Sequence, residues 1–556
     1  MLAQGDSLVV ALGTQKARGA FFTPLEVSEF IARWAIRSKG DRVLEPSCGD
    51  AAFLLPAAAT LSRLGIHQSR LSRQLHGIEI HASSVANARD RLADEGFTAR
   101  IEQGDFFDRE LEPSYDAVIG NPPFVRYQDF SGAVRAKAQR LALQQGAKLT
   151  ALASSWAAFT VYASGFLKDD GRLGFVLPAE LLSVNYASEV RRFLLNRFAK
   201  VRLVLFEQLI FPGVLEEVVL LLAEGRGGAK SFEVHQARNA ADLTNVVDTD
   251  WRDFPTREGA KWTPALIQDG ALDTYHELTA SDQFTTLEGW GDTSLGSVTG
   301  NNKFFTLTNG DVRRLGLERS EVLPISPPGS RHLRGLTFAK ECWRELRDAG
   351  ARCYLFAPRG SKLSKGAKAY IEDGEARGVD QAYKCRARLP WWRVPLLDAP
   401  DLLFTYMNHD RPRLVTNDAD ARVLNSLYGV TLRADLRGLG RATLPIASLN
   451  TLTLLGSEVV GRAYGGGLLK HEPKEADLLP VPSPDALGHL CERLTALRPQ
   501  LYKALHSGNV GKAVEKVDRF VLDQHMGLSN DQLGELRAAR EALFQRRTER
   551  GRGKRG

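Results

Sequence analysis

Asn121-Pro122-Pro123-Phe124 is the segment of this 556-residue chain with the clearest chemical meaning. Two successive prolines stiffen it and remove the amide donors at 122 and 123. Its carbonyls and the Asn121 side-chain oxygen are left as acceptors, and an aromatic ring follows at once. Such a corner suits a planar ligand that bears an amino group: the oxygens hold the N–H bonds while the ring stacks on the plane. Three carboxylates lie upstream in comparable settings. Glu45 sits in V-L-E-P-S-C-G-D (Val43–Asp50), Glu79 in G-I-E-I, and Asp105 beside Phe106 in G-D-F-F. An acid at a strand end beyond a small-residue loop accepts hydrogen bonds from ribose hydroxyls. An acid beside an aromatic ring can hold an exocyclic amine and pack a purine face. Each carboxylate alone reads as a cap or a surface charge; at three successive strand ends they converge on one crevice.

The elements that must position these groups are legible in the pattern. Short β-rich runs at 43–47, 74–80, 99–103, 115–120, 172–177, 201–206 and 217–223 alternate with helical stretches at 51–64, 82–95 and 154–168. That alternation predicts a parallel α/β sheet. Runs such as V-R-L-V-L-F and V-V-L-L-L-A are apolar throughout, as strands covered on both faces are. G-R-G-G-A-K-S (Gly225–Ser231) reads as a linker. The expected organisation is a catalytic domain over 1–225, a mixed α+β domain over 231–484, a helical segment over 485–545, and a basic, disordered tail over 546–556.

Composition bounds the function. Lys+Arg is 73 against Asp+Glu 66, a net charge of +7, with 43% hydrophobic and 25% charged residues, which excludes a mainly disordered chain. No apolar run reaches the ~18–20 residues that span a bilayer, so no membrane partner is expected. Five cysteines without a C-x-x-C pair argue against a disulfide framework or zinc ribbon. Eleven histidines without an H-x-x-x-H pair make a metal site an unfavoured reading. Neither G-x-G-x-x-G nor a P-loop is present, so ATP hydrolysis has no support.

N-P-P-F following V-L-E-P-S-C-G resembles the amino-methyltransferases that use S-adenosylmethionine. With G-A-F-F-T-P (Gly19–Pro24) upstream, then G-I-E-I, G-D-F-F, N-P-P-F and a C-terminal region, the order is that of the gamma-class N6-adenine DNA methyltransferases of restriction–modification type. Phe211–Gly213 is similar to the family segment whose aromatic covers the second face of an extruded base. Ala463–Pro473, Leu478–Pro482 and the run V-D-R-F-V-L-D-Q-H-M-G-L resemble the family's closing segments. Two positions depart from the common pattern: Ala51 stands where many members carry glycine, and Phe124 where tyrosine is commoner.

The resemblance implies a Rossmann-like methyltransferase domain built on a seven-stranded mixed sheet, with a DNA-recognition domain after it. It implies S-adenosylmethionine as cofactor, with Thr23 and Glu45 near its methionine end, Glu79 on the ribose, Asp105 on the adenine amine and Phe106 on the ring. Asn121 and Pro122 would accept the two hydrogens of the target amine, Pro123 would stiffen the corner, and Phe124 and Phe211 would sandwich the base. Duplex DNA is the implied partner, with a separate restriction endonuclease as a possible second, in the nucleoid-associated cytoplasm of a bacterium or archaeon. A cytosine-C5 mechanism needs a Pro-Cys nucleophile, which the chain lacks, and Cys48 reads as a packing residue. Arg126, Arg135, Lys137 and Arg140 could meet phosphates or form a solvated helix face. Downstream, Asn301, Asn302, Lys303, Arg359 and Lys362 are candidate DNA contacts, while Trp391, Trp392 and Arg393 read as packing. Gly465–Gly467 reads equally as a ligand approach or a loop. Two other readings stay open: an RNA guanine-N2 or protein glutamine methyltransferase, which share N-P-P-[FY] but lack the long C-terminal region, and an inactive DNA-recognition subunit.

Overall fold

The structure, a computed structural model, describes residues 23–211, 217–247, 250–255, 259–360, 362–464 and 466–552. Most of G-A-F-F-T-P and the Pro212–Gly213 pair lie outside them. The chain divides into two compact units, one ending at Leu266 and one beginning at Ile267.

Unit 1 is built on a nine-stranded sheet. In chain order its strands are β1 (Val43–Glu45), β2 (Leu75–Glu79), β3 (Arg100–Gln103), β4 (Tyr115–Gly120), β5 (Leu167–Pro178), β6 (Phe198–Phe206), β7 (Val218–Arg226), β8 (Ser231–Ala237) and β9 (Arg252–Pro255). Their spatial order is β3-β2-β1-β4-β5-β7-β6-β8-β9. β1 to β5 run parallel, and β7 is antiparallel to both β5 and β6. The first seven strands are those expected from the apolar runs.

The last two strands correct the expected boundary. The linker reading of Gly225–Ser231 fails because the glycines make a tight connection there, with Gly225 at φ +69° and Gly227 at φ +158°. The chain then re-enters the sheet: β8 pairs parallel with β6, and Phe232 and Val234 are buried. Seven strands become nine, and the first unit extends to residue 266.

The helices that matter for the site are α1 (Leu25–Ala35), α2 (Leu54–Arg63), α3 (Ala82–Asp94), α4 (Gly132–Gln144), α5 (Ser155–Ser164) and α6 (Ser188–Arg197). All ten residues of α5 are buried, since neighbouring helices and β5 cover it on every side. Such a helix is held by packing, so its first turn is a rigid support.

Unit 2 carries a five-stranded sheet, in spatial order Gly291–Leu295, Tyr428–Leu432, Leu402–Phe404, Leu414–Asn417 and Thr337–Phe338, antiparallel except for the last pair. Helices from Pro484 onward do not stand apart. Arg437–Ala447 packs on Pro484–Ala496, and Thr451–Val460 on Asn530–Arg552. The expected disordered tail is also corrected: the last helix runs to Arg552, and Arg547 is buried against Glu458 at 2.8 and 2.9 Å. Among the described residues no helix is long and apolar enough to cross a membrane.

Candidate active site

Because β1 to β4 run parallel, their carboxyl ends open on one edge of the sheet, and β1 and β4 are neighbours at the point where strand order reverses. Ligands of open α/β sheets bind at such a point. The four singled-out polar groups all lie there: Glu45 ends β1, Glu79 ends β2, Asp105 follows β3 and Asn121 follows β4.

The loop after β1 is shaped by two residues in the left-handed region, Gly49 at φ +50° and Ala51 at φ +67°. Ala51 adopts the conformation that a glycine would take without strain, so the turn keeps its form at a cost of about 1–2 kcal/mol. Two carboxylates hold this loop. Glu45 accepts from the Leu54 amide at 3.0 Å, at the start of α2. Glu79 accepts from the Gly49 amide at 3.0 Å and from the His81 amide at 2.8 Å. Burial pushes the Glu45 carboxyl well above the usual carboxylate range, and the nearby Asp50 and Glu79 add to the effect. Cys48 is buried as well, and burial drives its thiol far up, so the sulfur stays protonated. That state suits packing and not nucleophilic attack.

Asp105 accepts from the Phe107 amide at 3.0 Å, and its other oxygen lies 3.8 Å from Lys137. Phe106 differs from the expectation of a free stacking face. It is 3% exposed, and its ring meets Phe107, Phe159, Tyr162 and Phe166 at centroid distances of 5.3–5.9 Å. It is first a core residue, because three aromatics of the 159–166 segment converge on it.

Beyond β4, Gly120 turns the chain at φ +154° into the diproline corner. The Asn121 Nδ2 donates to Thr23 Oγ1 at 3.3 Å, a contact spanning 98 residues. The Asn121 Oδ1 is buried and has no hydrogen-bond partner among the described residues. A buried acceptor left unpaired costs roughly 1–3 kcal/mol. Pro122 is buried, and its carbonyl accepts no hydrogen bond among the described residues. Phe124 and Phe211 belong to one apolar cluster, Phe211 buried within it and Phe124 partly buried against it.

Ser155 was missed in the sequence. As the first residue of α5 it donates its amide to the Val125 carbonyl at 3.0 Å. Its hydroxyl accepts from the Val125 amide at 2.9 Å and donates to the Pro123 carbonyl. A serine opening an apolar helical run was the available signal, but nothing in spacing links it to a loop thirty residues away. Of the basic candidates nearby, Lys137 pairs with Asp108, Arg135 donates to the Ala151 carbonyl at 3.2 Å, and Arg126 and Arg140 are exposed. In unit 2, Asn301 caps a helical turn by accepting from Phe304, and Asn302 bonds Thr299 and Asn425. The Asn301 amide completes a local turn, and the Asn302 amide ties its turn to Asn425, 123 residues on. Arg359 and Lys362 are exposed.

The residues at the strand ends fit S-adenosylmethionine. No atom lies within 4 Å of where a Cβ would stand on Gly49 or on Gly104, so both loops leave room beside the carboxylates. Among the described residues Glu45 and Glu79 form no ion pair and offer carboxyl oxygens, while Asp50 pairs with Arg91 at 2.6 Å. A cationic ligand with ribose hydroxyls matches that donor and acceptor set.

Comparison with known proteins agrees. Residues 9–253 match the family described as N-6 DNA Methylase, and residues 259–522 match the family of the Type II methyltransferase M.Eco57I C-terminal domain. The chain is 21% identical over 535 residues to the Type II methyltransferase M.AccI of Acinetobacter calcoaceticus, covering 93% of this chain and 95% of that protein. It is 26% identical over 484 residues to M.XamI of Xanthomonas campestris pv. amaranthicola, covering 84% and 85%. Among solved structures, the Type IIL restriction-modification enzyme MmeI in complex with DNA superposes with a TM-score of 0.50 at 13% identity, over 92% of this chain and 73% of that one. Fold and matches define a DNA methyltransferase that uses S-adenosylmethionine. Its first unit matches the N-6 DNA methylase family over residues 9–253.

Proposed function

We propose that the chain methylates N6 of adenine at a specific sequence in duplex DNA, as the modification enzyme of a restriction–modification system. The observation that carries this is the buried, unpartnered Asn121 Oδ1 beside a corner whose prolines offer no amide donors. With the Asn121 Nδ2 turned to Thr23, the corner presents two acceptors, which suits a ligand that donates two N–H bonds.

The target amine lies inside the duplex, so the adenine must be extruded, at a cost of a few kcal/mol. Stacking between Phe124 and Phe211 would return about 1–3 kcal/mol per base. The two rings belong to one apolar cluster. Asn121 Oδ1 and the Pro122 carbonyl would hold the two amine hydrogens and draw the nitrogen lone pair out of the ring. Thr23 orients the Asn121 amide from behind, so that the oxygen faces the base. S-adenosylmethionine, when bound, supplies an electrophilic methyl group. Glu45 and Glu79 would hold its methionine and ribose, and Asp105 its adenine amine, with Phe106 closing that pocket from the core side. The nitrogen would take the methyl as its bond to the sulfonium breaks, leaving a neutral thioether, and would lose one proton; no covalent enzyme adduct is needed. The gain comes from positioning in a dry pocket. Unit 2 would read the sequence, and a separate nuclease is the natural partner.

Sequencing DNA from a methylation-free host that expresses the chain should reveal N6-methyladenine in one context. Asn121→Ala should abolish the mark while calorimetry still detects cofactor binding; a full mark in that variant sinks the assignment.

A further inference from the structure

Leu389 is 98% exposed, and the chain on both sides of it is fixed. Before it, Arg388 donates to the Thr299 carbonyl at 2.7 Å and the Val298 carbonyl at 2.5 Å. After it, Trp391 donates to Glu375 at 2.9 Å and packs its ring 5.6 Å from Phe304. Cys385, at the base of the segment, is fully buried. The leucine therefore cannot fold back onto its own core, although covering an apolar side chain is favourable.

Its surroundings state what can cover it. Residues 383–393 (Y-K-C-R-A-R-L-P-W-W-R) carry four cations and no acid. Arg388 is spent on carbonyls, but Lys384, Arg386 and Arg393 are exposed and form no ion pair among the described residues. An apolar tip ringed by unneutralised cations suits a partner with an anionic surface and an apolar interior within one side chain's reach. Stacked base pairs inside a phosphate cage have both, and proteins that deform duplexes insert leucine or proline between base steps.

We propose that Leu389 is a wedge that enters duplex DNA between base pairs, with Arg386 and Arg393 on the flanking phosphates. This rests on the reading of the chain as a DNA methyltransferase. The test uses the full chain, a duplex carrying the modified site with dyes at its ends, and vesicles rich in phosphatidylserine. Leu389→Ala should weaken duplex binding about tenfold and reduce end-to-end bending, leaving the salt dependence of binding unchanged. The double variant R386E/R393E should instead lower the salt slope by about two, at roughly 0.9 per phosphate contact. These positions are exposed, so folding should be unaffected, and cofactor affinity should match the unmodified chain. Wild-type binding and bending retained in all variants overturns the wedge alone. So does a loss confined to vesicle binding, which would make the tip a membrane contact. An unmodified chain that binds no duplex overturns the wedge together with the function on which it rests.

Discussion

The Ser155 hydroxyl donates to the Pro123 carbonyl, so the first residue of a fully buried helix grips the second proline of the acceptor corner. The same oxygen receives the Val125 amide, and the Ser155 amide returns to the Val125 carbonyl. Three bonds thus fix a loop that prolines alone would leave free to pivot as a rigid body. Ser155→Ala removes two of them. Displacement of a reacting group by about 1 Å can cost roughly a hundredfold in rate. The single-turnover rate should fall between about tenfold and a hundredfold, with cofactor affinity unchanged. Hydrogen exchange over residues 119–127 should quicken; unchanged exchange would show that the hydroxyl is idle.

Ala51 is fully buried and sits at φ +67°. Relief of the left-handed strain, about 1–2 kcal/mol, outweighs the loss of one buried methyl, about 0.8 kcal/mol. Ala51→Gly should therefore stabilise unit 1 slightly, by at most about 1 kcal/mol in denaturant melts.

Arg547 and Glu458 are 3% and 5% exposed in their side chains and meet at 2.8 Å. Arg547 also donates to the Gly467 carbonyl. Arg547→Ala strands a buried carboxylate, which typically costs 3–5 kcal/mol. Replacing both members with apolar residues of similar volume, R547M with E458L, should recover most of that stability. A melting curve for Arg547→Ala that matches the unmodified chain would return these residues to the solvent.

Burial holds His332 down at a pKa of about 4, and its Nε2 lies 2.7 Å from the Ser326 hydroxyl. An unfolded histidine titrates near ~6.5, so between these values the unfolded chain binds the extra proton. The stability contributed by neutral His332 is complete above about pH 6.5 and drains away as pH falls toward 4. Urea midpoints at pH 7 and pH 5 should differ less for His332→Gln than for the unmodified chain.

Much of unit 1 was legible because its signals are local. Apolar runs mark strands that are covered on both faces, and the acids and the diproline corner sit within a residue or two of strand ends. β8 was hidden by the glycines before it, which read as slack chain, though Phe232 and Val234 alternate as a strand should. Asn301 looked like a contact because an amide that caps its own helical turn and one that meets a base look alike in sequence, and Asn302 because its partner Asn425 lies 123 residues on. Arg547 looked like tail because its partner lies 89 residues upstream. Ser155 escaped for the same reason: a hydroxyl declares its task only once the fold brings Pro123 to it.

Asn121 Oδ1 and the Pro122 carbonyl both present lone pairs, while the Asn121 Nδ2 is turned to Thr23. A keto group brought there would set oxygen against oxygen in a space too dry to soften the repulsion. A base that carries a carbonyl where the amine should be is therefore turned away by the corner's own lone pairs.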